Sequence, residues 1–202
     1  NAKNFEFSAL NVTYNLDDLA KDGGHFNKLK EALGNKNLTL EEMKSAEYAD
    51  LSVRPFSIPH DAADPLGYRV SLPDGKIMCS CTDLGYVTEE VYENLSGSDF
   101  VLLESNYDPE MLRCGPYPYP LKRRIASNRG HLSNHDCAAA VASLFSDGTT
   151  RFMLGHLSEN NNRPEFAYHA ALSALNKAGA EIEEDFNLYI AGPQNRGGII
   201  EL

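Results

Sequence analysis

The stretch from Lys76 to Gly85 (Lys-Ile-Met-Cys-Ser-Cys-Thr-Asp-Leu-Gly) most narrows what this chain can fold into. Residues 76–82 alternate as a strand does, and the run stops at an acid and a glycine, so Asp83 sits where a buried strand emerges into a loop. Two other apolar runs end in the same way, one in His60 within residues 55–67 and one in His156 within residues 151–158. Three strand exits thus deliver imidazole, carboxylate and imidazole, a set suited to one metal ion.

Around that stretch the pattern is strand, turn, strand, then strand alternating with helix. Residues 51–58 and 67–72 read as strands, and Pro73-Asp74-Gly75 turns the second into residues 76–82 as a hairpin. Residues 88–95 open with a capping pattern and predict a short helix. Residues 99–105 are almost continuously apolar, which predicts a strand buried on both faces. Residues 111–119 carry too much Gly, Pro and Tyr for regular structure. Residues 135–145 predict a helix capped by Ser133 with Asp136 three positions on, and Pro164 opens a longer helix that Gly179 ends. A last strand falls at 187–191. The interleaving indicates an α/β layered domain over residues 51–202. Residues 1–50 read differently: a strand at 5–13, then helices near Asn15 and Asp18, at 26–33, and from the Thr39/Glu42 capping box to about residue 49. His25 in that helical segment reads as a surface histidine.

A chain of 202 residues, 42% hydrophobic and 23% charged, is long enough for one sizeable core. No apolar run approaches the roughly 18 residues of a membrane span, and the first residues lack the basic-then-apolar pattern of a signal peptide. Cys79, Cys81, Cys114 and Cys137 have neither CxxC spacing nor the density of a stapled secreted domain, which points to a reducing cytoplasm. Cys79 and Cys81 share one strand face and read as small core residues. A net charge of -11 argues against coating nucleic acid by charge alone. A nuclease stays open, because bound metal supplies positive charge locally. Lys122-Arg123-Arg124 with Arg129 is the one basic concentration, read either as a solvated face or as a phosphate-facing patch.

His60 is followed by Asp61, with Asp64-Pro65 close behind, so a carboxylate is at hand to hold the second ring nitrogen of a ligating imidazole. Asp83, with two oxygens, is able to bridge two ions. Near-identical tetrapeptides, Gly130-His131-Leu132-Ser133 and Gly155-His156-Leu157-Ser158, recur 25 positions apart. With His156 as a ligand, His131 is left to face substrate and deliver a proton to a leaving oxygen. Glu104, Ser105 and Asn106 end the buried strand at the same rim, placed to orient ligands or bind substrate.

These motifs carry a resemblance. His60-Asp61-Ala62-Ala63-Asp64-Pro65, Thr82-Asp83-Leu84-Gly85, Glu104-Ser105-Asn106-Tyr107-Asp108 with Met111-Leu112, Tyr117-Pro118 with Leu121-Lys122-Arg123-Arg124-Ile125, Gly130-His131-Leu132-Ser133-Asn134, and Gly155-His156-Leu157-Ser158 with Asn161-Asn162 run in the order found in metallo-β-lactamase-fold hydrolases. They look most like the YycJ/WalJ branch, whose members are described as DNA exonuclease-like. The resemblance covers about residues 52–165. It implies an αββα layered sandwich whose C-terminal half is the part best matched. It implies His60 as ligand of one zinc, Asp83 as bridging carboxylate, His156 as ligand of a second zinc, and His131 as an auxiliary histidine near the scissile phosphate. Glu104, Asn106, Ser133 and Asn134 are then expected to bind substrate. The implied activity is metal-dependent phosphodiester hydrolysis on nucleic acid, with zinc or manganese. The fold's His-x-His-x-Asp-His signature is absent from these 202 residues. The remaining ligands are therefore expected from an upstream stretch of natural chain or from a partner subunit, such as a homo-oligomer that completes the site. A degenerate relative that holds little metal and serves as a binding module is the alternative.

Overall fold

The computed structural model describes residues 46–48, 51–192 and 200. The strand expected at 5–13, the helices expected between residues 15 and 45, and His25 lie outside the described residues. Seven strands form one sheet in sequential order: β1 (Ala46–Tyr48), β2 (Leu51–Ser57), β3 (Leu66–Ser71), β4 (Ile77–Cys81), β5 (Phe100–Glu104), β6 (Arg151–Gly155) and β7 (Asn187–Ile190). The first four pair antiparallel and the last four parallel. Two antiparallel steps leave β2 running the same way as β4. The exits of β2, β4, β5 and β6 therefore share one edge of the sheet, where open α/β sheets collect ligands.

Helices fill the crossovers that parallel pairing requires. Helix α1 (Glu89–Leu95) joins β4 to β5. Helices α2 (Pro109–Cys114), α3 (Tyr119–Ile125) and α4 (Asn134–Ser146) lie between β5 and β6, and α5 (Pro164–Lys177) leads to β7. Thr88 caps α1 by accepting from the Val91 N–H, and Ser133 caps α4 by accepting from Asp136. At the other end of α1 the Arg69 guanidinium donates to the carbonyls of Asn94 and Ser96, a cation on the negative end of the helix dipole.

The sheet is apolar on both faces, which is why β5 is buried at every residue. Cys79, Cys81, Val101, Leu103, Phe152 and Leu154 pack with Val91, Leu95, Val141, Leu144, Ala171 and Leu175 of the helices. The opposite face gathers Val70, Met78, Phe100 and Leu102. That second apolar face is the one an αββα sandwich turns toward its other sheet. Cys79 and Cys81 lie in the helix-facing core, and burial pushes both thiols up.

Two expectations are corrected here. The helix expected from the Thr39/Glu42 box to residue 49 is strand at Ala46–Tyr48, because pairing with Leu51–Val53 in a hairpin outweighs local propensity. Residues 111–119, expected irregular, contain most of α2 and the start of α3. Asp108 caps α2, its side chain accepting from the N–H groups of Glu110 and Met111, and Pro109 sits in the first turn.

Candidate metal centre

Two strand exits are bent sharply. Asp83, two residues beyond β4, and His156, directly beyond β6, adopt left-handed backbone conformations with φ of 59° and 56°. Non-glycine residues are held there at a cost of order 1–3 kcal/mol, a strain that collects at functional sites. The bends turn both side chains toward a common point with His131. Ligand atoms of Asp83, Glu104, His131 and His156 all lie within 4.8 Å of one another. His60 stands at the margin, its Nε2 3.8 Å from Asp83 Oδ1, and the Nδ1 atoms of His131 and His156 are each 3.7 Å from the same oxygen.

Glu104 is the hub of the arrangement. It is fully buried. Its Oε1 bonds the Nδ1 atoms of His131 (2.8 Å) and His156 (2.7 Å), while its Oε2 accepts from the backbone N–H groups of Leu84 (2.6 Å) and Leu132 (3.3 Å). One carboxylate thus ties together the loops that carry Asp83, His131 and His156. Burial by itself pushes the Glu104 carboxyl up, but the hydrogen bonds and charges of the two imidazoles outweigh it and hold the group below its ordinary range. Burial likewise pushes His156 down, and Glu104 with Asp83 more than reverses it.

His60 is held separately. Its Nδ1 donates to the Gly130 carbonyl at 2.8 Å, which turns Nε2 toward the carboxylates of Asp61 (3.4 Å) and Asp83 (3.8 Å). Gly130 earns its place by close approach, since a Cβ there would lie 2.2 Å from the carbonyl oxygens of Arg124 and Ile125.

His60, Asp83, His131 and His156 therefore converge. The residues expected to bind substrate, Glu104, Asn106, Ser133 and Asn134, are buried and engaged with internal partners. Glu104 has both oxygens engaged. Asn106 is buried and donates to the His156 carbonyl at 2.8 Å, bracing the left-handed turn. Ser133 is spent on the α4 cap. Asn134 accepts from Ser105 Oγ at 2.7 Å and exchanges hydrogen bonds with Asn162. Desolvated polar groups with internal partners are scaffold, not contact surface. Asn162 itself carried no signal beyond its place in the resemblance, yet it also donates to the carbonyls of Ser105 and Asn106.

The donor set fits a divalent ion. It combines imidazole nitrogens and carboxylate oxygens at the spacing of ligands around one small cation, with hydrogen bonds already orienting each ring.

A model of the beta-lactamase superfamily domain matches residues 5–157 of this sequence. The chain belongs to the metallo-β-lactamase superfamily. Among its superfamily relatives, the exodeoxyribonuclease WalJ of Streptococcus pneumoniae (serotype 2, strain D39) is 35% identical over 159 residues, covering 79% of this chain and 59% of WalJ. The exodeoxyribonuclease YycJ of Bacillus anthracis is 37% identical over 147 residues, covering 73% of this chain and 55% of YycJ. The chain thus spans less than two thirds of the length of these relatives. The crystal structure of Zn(2+)-bound PqqB from Methylobacterium extorquens superposes with a TM-score of 0.57 at 19% identity, over 92% of this chain and 62% of that one, a likeness of fold. Superfamily membership agrees with the layered α/β architecture.

Proposed function

We propose that this chain carries one side of the metal centre of a phosphodiester hydrolase acting on DNA, an exonuclease by its likeness to WalJ and YycJ. The observation that supports it above others is the meeting of four metal-competent side chains at one sheet edge, two of them on left-handed turns. Zinc or manganese fits the donors. A bound ion would neutralise phosphate charge and lower the pKa of a water at neutral pH. The chain's own residues do the rest. Asp83 and His156 would hold the ion, with His60 close by across Asp83. Glu104 fixes the rings. His131, between His60 and His156 with ring centroids 5.0 and 5.3 Å away, is placed to pass a proton to the leaving oxygen. The His-x-His-x-Asp-His signature is absent from these 202 residues, so in this reading the remaining ligands would be supplied by an upstream stretch of the natural chain or by a partner subunit. The four free thiols support a reducing, cytoplasmic setting. Among the described residues no helix is long and apolar enough to cross a membrane.

The absent signature favours a second reading, a metal-poor relative that serves as a binding module. Metal analysis after loading with zinc or manganese, alongside hydrolysis of bis(p-nitrophenyl) phosphate, separates the two. We expect bound metal and turnover, both lost in Asp83→Ala. Less than about one tenth of an equivalent of metal, or undiminished turnover in the variant, would refute the hydrolase reading.

A further inference from the structure

We propose that the exposed side of α3 and the loop behind it dock a single polynucleotide strand, with phosphates on Arg123 and Arg129 and unpaired bases against Tyr119 and Tyr86. The idea rests on the hydrolase reading above and names the surface that feeds that centre.

The chain is acidic overall, yet Lys122, Arg123, Arg124 and Arg129 crowd into eight positions. The structure sets this cluster beside the metal centre. The Arg124 guanidinium grips Asp61, the neighbour of His60, with Nε to Oδ2 at 2.5 Å and Nη2 to Oδ1 at 2.7 Å. That pair pins α3 to the His60 loop and cancels an acid that would repel a phosphate. Arg129 reaches the His60 carbonyl from Nε and Nη2, both at 3.3 Å. Arg123 and Arg129 are exposed, and among the described residues the only carboxylate paired with this cluster is Asp61, on Arg124. Their charge is therefore available to a ligand.

Aromatic faces stand next to these cations. Tyr119 is 72% exposed, and it lies one helical turn before Arg123 on the same side of α3. Tyr86 is 45% exposed. It follows Gly85, which packs so tightly on the other loop that a Cβ would lie 2.2 Å from the Asn128 carbonyl and 2.7 Å from the Arg129 nitrogen. Cations that track a backbone, interleaved with aromatics on which any base can stack, are what single strands require. A duplex, its bases already stacked, gains nothing from the tyrosines.

Anisotropy of a labelled, phosphorothioate-linked and hence slowly cleaved oligonucleotide on the metal-loaded protein tests this. Arg123→Gln and Arg129→Gln are each expected to flatten the slope of log K against log salt by about 0.7. Tyr119→Ala should weaken binding of the strand about tenfold and leave an abasic strand unaffected. Lys177→Gln, on α5, should leave the slope unchanged. An unaltered slope in the double arginine variant, equal flattening in Lys177→Gln, or competition by polyglutamate as strong as by oligonucleotide would overturn the proposal, the last by assigning the surface to an acidic polypeptide. Turnover of bis(p-nitrophenyl) phosphate reports on the centre alone. Turnover with an unaltered slope overturns the surface only, whereas a flattened slope without turnover overturns the hydrolase reading and keeps the surface.

Discussion

Glu104 has no contact with solvent, so its ionised state depends on the two imidazoles and two backbone N–H groups around it. Replacing it with Gln places an amide where an acceptor is needed and is expected to cost about 2–4 kcal/mol in urea unfolding of the metal-stripped protein. The same unit sets a pH dependence. Glu104 is held below its ordinary 4.5, so its contribution is present above that pH and is lost as pH falls through the depressed value. His156 is held above its ordinary 6.5, so its contribution is present below that pH and is lost as pH rises through the elevated value. Metal-stripped protein should therefore gain most from this pair between pH 4.5 and 6.5. Metal affinity should run the other way and climb as His156 loses its proton above that range, measurable by calorimetry from pH 6.5 upward. Thiol chemistry gives an independent residue-level check. Cys79, Cys81 and Cys137 are buried, with Cys137 pushed up to about 12 by desolvation, while Cys114 is exposed. Titration with a disulfide reagent near pH 8 should show one fast thiol, and the other three only on denaturation.

At the scale of elements, loops between strand and helix place the chemistry, and small residues decide whether those loops close. Gly130→Ala forces apart the Gly130 loop and the end of α3, because the contacts are backbone carbonyls that cannot rotate away. The expected loss is about 3 kcal/mol, with weakened metal binding as His60 loses the carbonyl that fixes its tautomer. Gly148→Ala, where a Cβ meets nothing within 4 Å and the cost is a left-handed φ alone, should lose about 1 kcal/mol and leave metal binding intact. Most of these elements were legible in the sequence. The caps at Thr88 and Ser133 and the first-turn Pro164 placed three helices, and the uninterrupted apolar run at 99–105 announced a strand covered on both sides. Helix α2 forms against its composition because the Asp108 cap and the first-turn Pro109 start it. The strand at Ala46–Tyr48 is not legible locally because its pairing partner, Leu51–Val53, lies outside the capping-box pattern.

Taken together, the described residues form one mixed sheet with helices on one face and the polar centre at a single edge. Metal that binds the folded centre and not the unfolded chain stabilises the fold by mass action, about 2.7 kcal/mol at a hundredfold excess over Kd. Loading with zinc or manganese should raise Tm by about 5–10 °C, and chelation should reverse the shift.

That His60, Asp83 and His156 stand at strand exits was legible in the sequence alone because each ends an apolar run, and local patterning determines where a strand stops. Sequence also placed His131 beside them through a repeated tetrapeptide. The function of Glu104 was decided only by tertiary structure. A carboxylate at a strand end reads equally well as a substrate contact or as an internal tie, and only burial together with the arrival of two histidines from distant loops selects the tie. The inward turn of Asn106, Ser133 and Asn134 belongs to the same class, since hydrogen-bond satisfaction is a property of the packed chain and not of any stretch of it.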